Sequence, residues 1–334
     1  MNILIIKLGA LGDVLRTTGI LKGLHNRYGN PKIFWLTKPQ SFPLLEKNPL
    51  IHKVASIDDW EEILGTDFDL VISLDDEEEA CKIAREAKKK SIVGVYLDEN
   101  GKRAYTKSEW FDMSLLGGPD RDELKKRNTK TFQQHMAEML GIEKTEMEPM
   151  IFLGEKEKQF QRKFREENNI SAGEILIGIN TGAGERWQYK KLGEEKTANL
   201  INSIYENLGY RAILLGGHEE RERNARIAAQ AKVPLIDAGT DHPLLEFAAI
   251  VDLCDILITS DSLALHIGTA LKKKVIVFFG PTSIAEIELF GRGKKIAPRM
   301  TCLVCYKRRC DFNPACMHLI TVDQLLMAIK EVSA

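Results

Sequence analysis

Short apolar runs alternate along this chain with segments whose apolar residues recur every three to four positions, the pattern of strands alternating with helices. The runs predict strands at residues 2–8, 32–37, 53–58, 68–74 and 91–97, and again at 175–181, 212–216, 235–238, 256–259 and 275–279. After Gly12 the stripe Val14, Leu15, Thr18, Leu21, Leu24 and Tyr28 predicts one helix, which Gly29 and Pro31 end. Further helices are expected at 75–90, 128–140, 194–208, 219–231, 243–254, 262–271 and 321–332. Strands and helices that alternate in this way build parallel sheets.

Residues 141–169 separate the two series; they are charged, contain Pro149 and hold one helix candidate from Glu155. The pattern reads as an α/β protein of two Rossmann-like domains facing a cleft. The expected divisions are a first domain at 1–154, a connector at 155–172, a second domain at 173–320 and a terminal helix at 321–334 that can pack on either domain. A chain of 334 residues suits two domains of ordinary size. Ligands in such sheets bind beyond the carboxyl ends of the strands, so the chemistry is sought there.

Composition changes this picture little. Lys and Arg number 47 against 48 Asp and Glu, a formal net charge of -1 that gives no global argument for nucleic acid. The clusters Lys88-Lys89-Lys90 and Lys125-Lys126-Arg127 read as solvated helix ends and loops. No run approaches the roughly 20 apolar residues of a membrane span. The opening run reads as a buried strand rather than a signal peptide, so the expected location is cytoplasmic, with room for docking at the inner face of the membrane. Cys81 and Cys254 lie in apolar patterns and are expected to be inert core thiols.

The first strand runs into Lys7-Leu-Gly9-Ala10-Leu11-Gly12-Asp13. A dinucleotide fingerprint needs G-x-G-x-x-G, whereas this turn has G-x-x-G, and the second strand ends in Thr37-Lys38 without the acidic ribose ligand. An NAD-dependent oxidoreductase is therefore disfavoured, and no Gly-Lys-Ser/Thr follows to make a P-loop. Asp13 is either a carboxylate favoured by the helix dipole or a general base that takes a proton from an acceptor hydroxyl. The second series opens with a strand ending in Thr181-Gly182-Ala183-Gly184, followed by Arg186 and Lys190. Small residues there let backbone approach a ligand, and loop N–H groups with two cations suit phosphate. Gly216-Gly217 end the next strand, and Glu220 beyond them either accepts from ribose hydroxyls or decorates a helix start.

The strongest local signal is Ser260-Asp261-Ser262-Leu263-Ala264-Leu265-His266. An apolar strand enters residues that favour a helix N-cap, and the helix start that follows offers N–H groups to a diphosphate. His266 lies about a turn in, as a ligand for phosphate or leaving group or as a structural histidine. Gly280-Pro281-Thr282 forms a further turn at a strand end.

Taken together and in order, the opening Lys7–Leu15 segment, the Gly182–Lys190 loop, Leu215-Gly216-Gly217, the Asp261–His266 segment and Phe279-Gly280-Pro281-Thr282 resemble glycosyltransferase family nine, the lipopolysaccharide heptosyltransferases. The resemblance covers nearly the whole chain. It implies the GT-B architecture, with acceptor bound by the first domain (Gly9, Ala10, Leu11 and Gly12 near Asp13) and nucleotide-sugar by the second. It implies an inverting, metal-independent displacement: Asp13 deprotonates the acceptor hydroxyl, and Lys190 neutralises the departing diphosphate. The implied donor is ADP-heptose and the implied acceptor a lipopolysaccharide core or other surface glycan. Family members commonly carry glycine at the position of Leu263, and a Trp-Pro pair where this chain has Leu192-Gly193. Two other classes remain open, a nucleotide-sugar epimerase acting on the donor alone and a non-catalytic nucleotide- or glycan-binding relative.

Cys302, Cys305, Cys310 and Cys316 fall within 15 residues, close enough to share one structural zinc ion, or else to form a loop of reduced thiols. Similar cysteine-rich tails occur among family-nine relatives. No catalytic cofactor is expected.

Overall fold

The structure, a computed structural model, describes residues 1–63, 65–144 and 147–333, without the side chains of Glu185 and Arg186. By packing the chain divides into two units, residues 1–152 with 285–288, and residues 153–284 with 289–334.

The first unit runs β1 (Asn2–Ile6), α1 (Leu11–Thr17), α2 (Ile20–Tyr28), β2 (Lys32–Thr37), α3 (Phe42–Leu45), β3 (Lys53–Ser56), β4 (Phe68–Ser73), α4 (Glu78–Glu86), β5 (Lys89–Leu97), β6 (Arg103–Tyr105), α5 (Glu109–Asp112), α6 (Arg121–Arg127) and α7 (Phe132–Leu140). Its sheet has the order β3-β2-β1-β4-β5-β6, parallel except for β6. The strand β1 is apolar at four of five positions because both its faces are covered, and Leu4 and Ile6 pack into a core with Phe34, Leu36, Phe68 and Val71.

The second unit runs α8 (Glu155–Glu167), β7 (Leu176–Asn180), α9 (Glu194–Leu208), β8 (Arg211–Leu215), α10 (Arg221–Gln230), β9 (Leu235–Asp237), α11 (Leu244–Leu253), β10 (Ile256–Ser260), α12 (Leu263–Ala270), β11 (Lys274–Phe278), β12 (Gly293–Ile296), α13 (Cys316–Leu319) and α14 (Val322–Ser333). Its sheet is parallel throughout in the order β12-β11-β10-β7-β8-β9. Counted from its own first strand, each unit has the doubly wound order 3-2-1-4-5-6. The order reverses between β1 and β4 in one unit and between β7 and β10 in the other. At those two points neighbouring chains leave the sheet in opposite directions and open a crevice.

Several expectations need correction. The helix expected after Gly12 is two helices. A Cβ on Gly19 would stand 2.3 Å from the Met147 carbonyl oxygen, and Thr18 Oγ1 accepts from Met150 N at 2.8 Å, so the segment from Met147 to Met150 crosses where the helix breaks. The helix expected to 90 ends at Glu86, and Lys89 already pairs with Phe68 as the start of β5. Lys90, read as a helix end, is a strand residue paired with Asp69. The helix of the expected connector belongs to the second unit: Gln161 of α8 donates to the Ala249 carbonyl at 3.0 Å and to Asp252 at 3.1 Å. The terminal α14 packs on α9, β11 and β12, also in the second unit. Residues 285–288, expected in the second domain, are part of the first unit. The sheet strands β6 and β12 were not legible, being short and partly exposed.

Candidate functional site

At the reversal point of the second unit, Asn180 closes β7 with an amide where every other residue of the strand is apolar or glycine. Its Nδ2 donates to the Gly182 carbonyl (2.9 Å), Thr259 Oγ1 (3.1 Å) and Ser262 Oγ (3.3 Å), tying the ends of β7 and β10 together. Ser262 is the N-cap residue of α12, yet its side chain makes no cap bond, because the hydroxyl is turned toward Thr259 and Asn180. The sequence-level expectation of side-chain capping fails here, and the start of α12 carries its dipole without a serine cap.

Lys190 meets this helix start. Its buried ammonium donates to Asp261 Oδ2 and to the Asp261 carbonyl, both at 2.9 Å, and sits 5.0 Å from the Trp187 ring centre. His266, one turn into α12, places Nε2 4.0 Å from Asp261 Oδ1. Burial alone would push the Asp261 carboxyl up, but the Lys190 ammonium and the His266 ring hold it below the usual carboxylate range. The fold thus brings Lys190 to Asp261 and His266 at the start of α12, where Ser262, Leu263 and Ala264 also lie. The side chain of Arg186 lies outside the described residues.

Several of the other expected donor residues bond within the second unit. Thr181 donates through Oγ1 to Asn224 Oδ1 at 2.6 Å and lies buried. Glu220, expected to face a ribose, is 4% exposed; it accepts from Lys191 Nζ (2.8 Å) and from Gly217 N (3.2 Å). Each carboxylate oxygen accepts one of these bonds, which ties the loop after Gly216 to the one before α9. The Gly280 and Pro281 carbonyls accept from Val304 N (3.2 Å) and Tyr306 N (2.8 Å), and Thr282 is buried behind them. This turn is the seat of the cysteine-rich segment rather than an open surface.

All four clustered cysteines line one small cavity with Tyr189, Gly280 and Pro281. Among the described residues no three of their sulfurs lie within 4.8 Å of one another. A closed tetrahedral zinc site needs sulfurs about 3.8 Å apart, from zinc–sulfur bonds of about 2.3 Å. The set therefore does not form the closed site its spacing allows, because Cys316 is packed against Gly280 while the others follow a loop held by backbone bonds. Cys81 and Cys254 are buried, and burial pushes their thiols up to about 11 and about 12.

In the first unit the reversal point holds a buried ion pair. Lys7 Nζ, at the end of β1, donates to Asp75 Oδ1, just past β4, and to the Gly9 carbonyl at 2.6 Å, while Leu8 N donates to Asp75 Oδ2. The turn through Gly9, Ala10 and Leu11 is thereby pinned where it enters α1. Asp13 sits in the first turn of α1 with 38% of its side chain exposed, and Arg16 Nη2 lies 2.9 Å from its Oδ1. Lys7 was visible in the sequence only as part of a motif. Asp75, Arg16 and Asn180 were missed, although a lone polar residue closing an apolar strand was a readable sign for Asn180.

The profile of Glycosyltransferase family 9 (heptosyltransferase) matches residues 59–315, most of the chain. The chain belongs to that family. This family-9 chain is 24% identical over 183 residues to lipooligosaccharide heptosyltransferase 2 of Campylobacter jejuni subsp. jejuni serotype O:6, a match of 52% of this chain and 56% of the relative, little more than half that protein's length. Among solved structures it is similar to a glycosyl transferase family 9 protein from Veillonella parvula DSM 2008, with TM-score 0.80, 20% identity and coverage of 99% and 96% of the two chains. It is also similar to the ADP-heptose lps heptosyltransferase II of E. coli, with TM-score 0.70, 17% identity and coverage of 99% and 98%. The fold shared with these proteins is GT-B. Membership of a glycosyltransferase family weighs against the epimerase alternative. Among the described residues no helix is long and apolar enough to cross a membrane.

Proposed function

We propose that this family-9 chain is an inverting glycosyltransferase that moves a heptose-type sugar from ADP-heptose to the core of a lipopolysaccharide or a related surface glycolipid. The observation that carries the reading is the Lys190–Asp261 pair at the start of α12, set at the strand-order reversal of the second unit. An ammonium has three donors, and Asp261 takes two through its carboxylate and carbonyl, which leaves one for a phosphate oxygen. The uncapped helix start adds a positive dipole end in the same place. A cation and oriented N–H groups stabilise a departing diphosphate without needing a metal. Asp13 takes the proton of the acceptor hydroxyl, whose oxygen forms the new bond to the anomeric carbon as the bond to the nucleotide breaks. Single displacement from the opposite face inverts that carbon. Lys190 and the start of α12 serve the donor, and Asp13 with the Gly9–Gly12 turn serves the acceptor. The cytoplasm, where nucleotide-sugars are made, is the expected place of action, with the glycolipid presented at the inner membrane face. The cysteine segment acts as a packing element, and metal analysis finding one zinc per chain would restore its role as a structural metal site.

The test is a thermal-shift titration with ADP, UDP, GDP, CDP and dTDP on wild type and on Asp261→Ala. The expected result is stabilisation of wild type by ADP, about 2.7 kcal/mol at one hundred times the dissociation constant, with the effect weakened in the variant. Stabilisation by another nucleotide replaces the donor, and stabilisation that survives unchanged in the variant moves the site.

A further inference from the structure

We infer that Arg16 is the positioning residue for Asp13, clamping its carboxylate and keeping it ionised, with Glu286 as a counterweight that sets how firmly it does so. This rests on the reading of Asp13 as the base. An i,i+3 pair on a surface helix is worth little on its own, because two long side chains must be ordered in water. Arg16 is not such a residue: its side chain is 12% exposed. Its guanidinium carbon lies 4.2 Å from the Phe132 ring centre and 5.4 Å from that of Trp110, and those two rings meet edge-to-face at 5.1 Å. The aromatic pair fixes the plane of the fork before any substrate arrives, so little freedom is lost in holding Asp13. A guanidinium also stays charged at every working pH, so its hold on the carboxylate does not itself titrate.

Glu286 reaches the same fork from a distant part of the sequence. Its carbonyl accepts from Phe132 N at 2.9 Å at the start of α7, and its carboxylate lies 3.8 Å from Arg16 Nη1. Arg16 thus stands between two carboxylates, one that would do chemistry and one that does not. The cation lowers the proton affinity of Asp13, whereas the second carboxylate raises it by sharing the cation.

Several charged groups on the surrounding elements have partners of their own. From α5 and α7, Glu109 and Glu138 share Lys130 at 2.7 Å each, Asp112 accepts from the Tyr105 hydroxyl, and His135 bonds Asn128. Burial, then Lys130, holds the His135 ring below its ordinary value. Beside α1 and α3, Lys38 pairs with Glu77 and Glu46 is exposed. Lys7 pairs with Asp75 at the sheet end, and Glu288 lies two residues beyond Glu286.

The experiment is a carbon-13 NMR titration of the aspartate side chains in the full chain, with the Asp13 signal assigned by its loss in Asp13→Asn. Arg16→Met is expected to move the Asp13 midpoint up by about one pH unit, in line with the effect of one opposite charge at this distance. Glu286→Gln is expected to move it down, and Arg16→Lys to fall between wild type and Arg16→Met. The acid limb of the turnover profile shifts in the same directions, a readout that a purely structural arginine would leave in place. An unmoved midpoint in Arg16→Met, or shifts of the same sign in both variants, overturns the inference. Glu286→Gln keeps the arginine stack intact and decides the matter if Arg16→Met does not fold. Turnover in Asp13→Asn is measured separately, where loss of about 10²–10⁴-fold supports the base reading. Full turnover there sinks that reading without touching the titration result.

Discussion

Lys7 and Asp75 are 68 positions apart, and neither side chain is more than 13% exposed. Asp75 accepts through both oxygens, from Lys7 Nζ and Leu8 N, and the ammonium also donates to the Gly9 carbonyl. Removing one member leaves the other charge buried and unpaired, and such losses cost about 3–5 kcal/mol. Asp75→Ala is therefore expected to lower the denaturant midpoint strongly, with urea unfolding as the measure, whereas Lys7→Met with Asp75→Leu in the same chain recovers most of the loss. An unchanged midpoint in Asp75→Ala would show that water reaches this pair. At the same scale the sequence pointed to Asp13, Lys190, Asp261 and His266 by type and place, but their partners could not be read there. Arg16 is a helix residue like any other until Trp110 and Phe132 close on it, and both come from elements more than 90 residues away.

Among the elements, the turn after β11 shows how a loop is fixed by what packs on it. A Cβ on Gly280 would stand 2.4 Å from Cys316 Sγ and 2.8 Å from Met317 Cε, and both residues belong to the core of the second unit. Overpacking of this kind costs about 1–3 kcal/mol. Gly280→Ala is expected to lower the melting temperature by several degrees, and Cys316→Ala in the same chain to restore much of it. Additive losses in the double variant would mean the two sites do not touch. The periodicity of α9, α11 and α12 and the runs of β1, β7 and β10 were all legible, because burial on one or both faces writes itself into sequence. The break at Thr18–Gly19 was not, since its cause is the passage of Met147–Met150 rather than anything local.

Across the whole molecule, two units with separate cores carry separate tasks in the proposed reaction. ADP is expected to protect amides of the second unit from hydrogen exchange, chiefly in the Gly182–Lys190 loop and at the start of α12. Peptides of the first unit should exchange as they do without nucleotide. Protection centred on the turn through Gly9–Gly12 instead would place the nucleotide in the wrong unit. The α/β class, the two series of strands, the glycine-bearing turns at strand ends and the family resemblance were all readable from the residues, because each is written in local pattern and motif order. Tertiary structure alone decided the strand order, the assignment of residues 285–288 to the first unit, the occupation of Glu220 by Lys191, and the partners of Asp13 and Lys190. Apart from the Asp13–Arg16 pair, three positions apart on α1, those are pairings between residues far apart in the chain. Side-chain type sets what such residues can bond, but only the packing of whole elements brings them within a few ångströms of one another.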